Sequence, residues 1–192
     1  MNKLQSPSLL DGAEWSGLRV GLLGGSFNPA HEGHRHIALL ALDHYGLDYI
    51  WWLVTPQNPL KDTTDMAPYE ERFASAQRLI GNHPKMIATH LERDLGTNYT
   101  YETVKTLKQH FPQTEFMFIC GMDNALIFHK WDKWEDLLDL IPITFIDRPR
   151  AIDIVEEAPL KQVKHKNLFW LHGKEMMDIS STEIRKSLKT NG

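Results

Sequence analysis

From Leu18 onward the chain alternates between short apolar runs of strand length and segments whose apolar residues recur at helical spacing, and this order restricts the fold more than any other feature. Leu18-Arg19-Val20-Gly21-Leu22-Leu23 reads as a strand, and Ile37, Leu40, Ala41 and Tyr45 then mark a helix. Tyr49 to Val54 reads as a second, buried strand. A loop rich in Pro and Asn leads to a helix from Pro68, for which Gly81 is the expected terminator. Met86-Ile87-Ala88-Thr89 is a further strand, Tyr101 to His110 a helix, and the runs Phe116–Cys120, Ile143–Ile146 and Leu168–Leu171 are strands. Strictly alternating elements predict an α/β fold: a doubly wound parallel sheet with helices on both faces, and any ligand at the carboxyl ends of the strands where the chain direction reverses. Residues 1 to 16 show no sustained period and are expected to be a loose N-terminal extension.

The 192 residues are 42% hydrophobic, enough for one good core. A net charge of -4 gives no reason to expect a polyanion such as nucleic acid as partner. The sole cysteine, Cys120, lies in an apolar strand and reads as a buried thiol in a reducing compartment. No run approaches the roughly 18 apolar residues needed to span a bilayer, and Leu9-Leu10 is followed directly by Asp11-Gly12, so no signal-peptide core is expected. The expected location is the cytoplasm.

Between the first strand and the first helix stands Gly24-Gly25-Ser26-Phe27-Asn28-Pro29-Ala30-His31-Glu32-Gly33-His34. Glycines at such a turn allow close approach of an anion, and the helix behind it offers unpaired N–H groups and a positive dipole end. The spacing matches neither the dinucleotide fingerprint nor the P-loop. His31 and His34 are suited to donate hydrogen bonds to a phosphoryl oxygen as charge builds. A metal site is the rival reading, since His36 is near, but His31-Glu32-Gly33-His34 is one residue short of the zinc spacing. Capping or packing histidines are the plainer alternative. Near the far end, Asp178-Ile179-Ser180-Ser181-Thr182-Glu183-Ile184-Arg185 has Ser180 and Glu183 at capping-box spacing, which starts a helix, and adds hydroxyls and a guanidinium fit for phosphate. A capped terminal helix without a ligand remains the alternative there.

The first segment resembles the G-x-F-[DN]-P-x-H-x-G-H signature of nucleotidyltransferases with a Rossmann-like fold, and the second resembles their I-S-S-T-x-I-R motif. The resemblance implies one nucleotidyltransferase domain over residues 17–192, with Gly24, Gly25, Ser26, Phe27, His31 and His34 on the phosphates of ATP, the two histidines being catalytic. It also implies that Ile179, Ser180, Ser181, Thr182 and Arg185 grip the β- and γ-phosphates. Between these motifs the chain resembles nicotinate-nucleotide adenylyltransferases. Gly121-Met122-Asp123 is similar to an element that reaches a ribose of ATP, Tyr99-Thr100 to a pair that holds the nicotinate, and Trp131 to an indole that stacks on the pyridine ring. Ser26 is implied to face the acceptor as well.

Three departures stand out. Asn28 replaces the Asp of many members; Pro56-Gln57-Asn58-Pro59-Leu60-Lys61 keeps a lysine for the acceptor phosphate but lacks the usual histidine; and only Lys186 to Gly192 follow the second motif. The implied reaction is in-line attack of the phosphate of nicotinate mononucleotide on the α-phosphorus of ATP, releasing pyrophosphate, with Mg²⁺ carried on ATP and no metal held by the protein. Pantetheine-phosphate adenylyltransferase and a non-catalytic nucleotide sensor on the same fold are the alternatives. Tyr99, Thr100 and Trp131 speak for a flat ring in the acceptor site.

Overall fold

The computed structural model of the chain describes residues 6–56, 65–147 and 158–172. Six strands, β1 (Arg19–Gly25), β2 (Tyr49–Val54), β3 (Met86–Thr89), β4 (Glu115–Gly121), β5 (Ile143–Ile146) and β6 (Leu168–Leu171), form one sheet in the order β3-β2-β1-β4-β5-β6, every pair parallel. The chain winds outward from β1 through β2 to β3, then returns to the other side of β1 as β4. The carboxyl ends of β1 and β4 therefore flank the point where the winding reverses, the place where open α/β sheets bind ligands. The helices are α1 (Glu32–His44), α2 (Tyr69–Ile80), α3 (Leu91–Leu95), α4 (Thr100–His110) and α5 (Trp134–Leu140).

Strand alternation divides the core into two faces. Leu23, Ile50, Trp52 and Ile119 pack with Ile37 and Ala41 of α1 and with Phe73 and Ala76 of α2. Leu22, Trp51, Phe118 and Phe145 turn the other way, against Leu91 of α3, Val104 and Leu107 of α4 and Leu137 of α5. Adjacent residues Trp51 and Trp52, both fully buried, thus anchor opposite layers. The expected doubly wound sheet is the observed one. The expected termini of α2 hold as well: Pro68 stands at its N-cap, and Gly81 ends it with a φ of 56° that a side chain would oppose.

Two short helices, α3 and α5, carry too few residues to show a period in the sequence, and the helix expected from Tyr101 begins one residue earlier, at Thr100. The described part of the N-terminal segment is not loose. The indole of Trp15 is 1% exposed and meets the rings of Tyr49 and Trp51 edge to face, at 5.2 and 4.7 Å. Thr114 Oγ1 donates to the Trp15 carbonyl at 2.8 Å, Ser6 Oγ donates to the Ala88 carbonyl at 3.3 Å, and a Cβ on Gly12 would overlap the carbonyl oxygen of His110. The segment is a series of turns, which have no hydrophobic period to read, and one tryptophan fastens it to the sheet. Among the described residues no helix is long and apolar enough to cross a membrane.

Candidate active site

The glycine-rich loop leaves β1 at the winding reversal and ends in α1. His31 is the N-cap of that helix, in extended conformation, and Glu32 in the first turn complements the helix dipole. The two candidate histidines are brought together: their ring centroids lie 3.8 Å apart, and both side chains are buried. The backbone N–H of His31 donates to Nδ1 of His34 at 3.2 Å. Nδ1 of His34 is thereby an acceptor, so the neutral ring carries its proton on Nε2, which is then the donor nitrogen. One hydrogen bond both starts the helix and selects the tautomer.

Phe27, at a φ of 46° that an L-residue rarely adopts, turns its ring inward, stacked on Trp52 at 5.0 Å and edge-on to His34 at 4.9 Å. The glycines before it have a packing reason. A Cβ on Gly24 would come within 2.8 Å of the Phe118 ring, and one on Gly25 within 3.1 Å of the Phe27 ring. Asn28 uses both ends of its amide: Nδ2 donates to the Asp65 carbonyl at 2.9 Å, and Oδ1 accepts from the Ala67 N–H at 3.0 Å. An ionised aspartate has no donor for the first of these bonds.

On the neighbouring strand, Gly121 ends β4 and begins a 3₁₀ turn, Met122–Leu126, on which Asp123 is exposed. The carboxyl ends of β1 and β4, and with them the Gly24–His34 and Gly121–Asp123 segments, lie side by side. A second pair of candidates is brought together at α4. Tyr99 is its N-cap and Thr100 its first residue; the Tyr99 carbonyl accepts from the Thr103 N–H at 3.0 Å and from Thr103 Oγ1 at 3.2 Å, while the Tyr99 ring is 49% exposed. Trp131 is half-buried, with Phe128 at 5.1 Å and Phe118 at 6.0 Å behind it. Lys133, two residues on, reaches Glu102 in the first turn of α4 at 2.9 Å, which joins the tryptophan loop to the Tyr99-Thr100 helix start. That contact holds the Glu102 carboxyl below, and the Lys133 amine above, their ordinary ranges. Lys61 and the whole Ile179, Ser180, Ser181, Thr182 and Arg185 motif lie outside the described residues.

Two charged residues beside the site carry no motif that sequence reasoning would single out. Arg72 of α2 is 2% exposed, lies over the Tyr69 ring at 5.5 Å, and among the described residues donates to carbonyls: Nε to Ala67 at 3.0 Å, NH1 to Ser26 and to Thr55 at 2.7 Å each, and NH2 to Pro56 at 2.8 Å. Burial lowers its pKa below the usual arginine value. Glu92 of α3 is 4% exposed, and its carboxyl is hydrogen-bonded by the hydroxyls of Thr55, just past β2, and Thr103, in α4. Burial raises its pKa to about 7, the two hydroxyls partly opposing the shift. In the sequence both look like solvated charges on helix faces, since neither partner set is local. Among the described residues no three His, Cys, Asp or Glu side chains converge as a metal site.

Comparison with known proteins accords with this geometry. Residues 22–187 match the model of the cytidylyltransferase-like family. A protein of Parvibaculum lavamentivorans named "probable nicotinate-nucleotide adenylyltransferase" is 46% identical over 133 residues, which cover 69% of this chain and 66% of the relative. One of the same name from Erythrobacter litoralis is 47% identical over 132 residues; the chain covers 60% of its length. The chain thus spans less than two thirds of the length of these two relatives. It spans 99% of a third, from Cereibacter sphaeroides, also of that name, at 38% identity over 189 residues and 90% of this chain. Among solved structures, the nicotinic acid mononucleotide adenylyltransferase of Plasmodium falciparum superposes with a TM-score of 0.70 at 20% identity, over 88% of this chain and 83% of that one, which bears on the fold. The shared sheet, the histidine loop at its winding reversal and near full-length similarity lead to one conclusion: this chain belongs to the nicotinate-nucleotide adenylyltransferase family, within the cytidylyltransferase-like group.

Proposed function

We propose that this chain transfers the adenylyl group of ATP to nicotinate mononucleotide, forming nicotinate adenine dinucleotide and pyrophosphate in NAD biosynthesis. The observation that carries the reading is the buried His31–His34 pair at the winding reversal, with the His34 tautomer set by the His31 N–H. A phosphate oxygen of the acceptor attacks the α-phosphorus of ATP; that P–O bond forms as the bond to the bridging oxygen of pyrophosphate breaks. The acceptor phosphate is already ionised near neutral pH, so no enzyme nucleophile is required. Catalysis is then placement of two anions in line together with stabilisation of the charge that develops on the equatorial oxygens.

In this reading His34 donates from Nε2 to the α-phosphate, and His31, Gly24, Gly25, Ser26 and Phe27 line the triphosphate. Gly121 and Asp123 receive the adenosine. The pyridine ring lies on Trp131 beside Tyr99 and Thr100, whose helix N-terminus attracts a carboxylate. Lys61 meets the acceptor phosphate, and Ile179, Ser180, Ser181, Thr182 and Arg185 hold the leaving group. Magnesium arrives as part of the Mg·ATP substrate. The buried thiol of Cys120 suits the reducing cytoplasm in which we place the reaction.

The test is to incubate the purified protein with Mg·ATP and, separately, nicotinate mononucleotide, nicotinamide mononucleotide and phosphopantetheine, following pyrophosphate and the joined product. Nicotinate mononucleotide is expected to give the highest kcat/KM. Preference for phosphopantetheine overturns the acceptor assignment, and ATP binding without turnover of any acceptor overturns catalysis.

A further inference from the structure

Arg72 is a buried cation with no carboxylate among its hydrogen-bond partners in the described residues; all four bonds go to backbone carbonyls. Two of these come from a single nitrogen. NH1 lies 2.7 Å from the Ser26 oxygen, in the loop after β1, and 2.7 Å from the Thr55 oxygen, just past β2. NH2 adds the next carbonyl, that of Pro56. The guanidinium is planar and its donors are fixed relative to one another, so it acts as a rigid spacer between the loops that meet it. A second contact from the same helix supports the first loop: Ser75 Oγ accepts from the Ala30 N–H at 3.0 Å.

On the functional reading above, the loop after β1 carries the groups on the transferred phosphoryl, and the chain past β2 leads to the acceptor phosphate. In-line transfer requires these two anions at one separation, and a 1 Å misplacement can cost on the order of 10²-fold in rate. We propose that Arg72 is a positioning residue that sets the distance between the ATP loop and the acceptor loop. Its charge touches neither substrate; it works through the carbonyls of Ser26, Thr55 and Pro56. The inference rests on the adenylyl-transfer reading, and the first control is turnover by the wild-type protein: its absence refutes that reading and leaves the clamp to be judged on the second measurement below.

The variant is Arg72→Lys, which keeps the charge and the apolar stem but has no planar fork. The expected result is a folded protein with kcat lowered about 10²-fold and KM for each substrate within about threefold of wild type. A folded variant with kcat within twofold of wild type, or one whose loss lies wholly in KM, overturns the proposal. The second measurement uses the wild-type protein alone. Arginine side-chain NMR reads rotation about the guanidinium bonds. Distinct, slowly exchanging Nη–H resonances for Arg72 are expected from a clamp held on both nitrogens, and a single averaged resonance overturns it even where the lysine variant does not fold.

Discussion

Glu92 makes the stability of this protein depend on pH in a direction opposite to that of most carboxylates. Its pKa is raised by burial from 4.5 to about 7 in the folded chain. Between these values the unfolded chain has lost the proton and the folded chain has kept it. The folded state then binds more protons, so unfolding free energy falls as pH rises. The contribution is fully present below about pH 4.5 and is lost by the time pH has passed through about 7. A difference of roughly 2.5 units at 1.36 kcal/mol each gives about 3 kcal/mol in all, of which about 2.5 kcal/mol falls between pH 5 and pH 8. The side chain is 4% exposed, so little solvent screening reduces this figure. Glu92→Gln keeps the shape and cannot ionise. Urea denaturation of both proteins at pH 5 and pH 8 isolates the effect, because other titrating groups are common to the two. Wild type is expected to lose about 2.5 kcal/mol more than the variant over this interval. Equal losses would falsify the assignment of a protonated carboxyl at this position. Glu92 also joins the chain past β2 to α4 through Thr55 and Thr103, so its ionisation bears on the contact between these two segments.

Three further outcomes are expected. His34→Ala removes the Nε2 donor and should lower kcat by about 10²–10³ with the fold intact by circular dichroism; an unchanged kcat removes His34 from the mechanism. Trp131→Ala should cost about 1–3 kcal/mol of stacking, read as a loss of about fivefold or more in kcat/KM for nicotinate mononucleotide with KM for ATP little changed, and a shift confined to ATP would place the pyridine elsewhere. Trp15→Ala leaves a large void against Tyr49 and Trp51 and should destabilise the protein by about 3–5 kcal/mol in urea denaturation, whereas a loss under 1 kcal/mol would mean that the N-terminal turns contribute nothing to the core.

The elements that were legible in the sequence are those whose signal is local and periodic. The six strands are apolar runs, α1, α2 and α4 repeat at helical spacing, and Gly81 marks the end of α2, where a positive φ is required. The histidine loop was legible for the same reason: eleven consecutive residues carry it. The turns before β1 and the short helices α3 and α5 were not, because a few residues cannot display a period and turns have none.

The tertiary structure alone decided how distant residues are combined. Strand order put the loop after β1 beside Gly121, nearly a hundred residues later, because β4 returns to the far side of β1. Packing of α2 over the loops after β1 and β2 enclosed Arg72 among carbonyls, and packing of α3 between β2 and α4 enclosed Glu92. In sequence each of these is one charged residue on a helix, with nothing to separate it from a solvated neighbour. Burial and hydrogen bonding depend on what the fold brings within about 3 Å, and composition and spacing along the chain do not carry that information. Sequence by itself determined the layered sheet and the glycine- and histidine-rich loop after β1; the fold decided which charges are withdrawn from water, and therefore which of them hold the loops together.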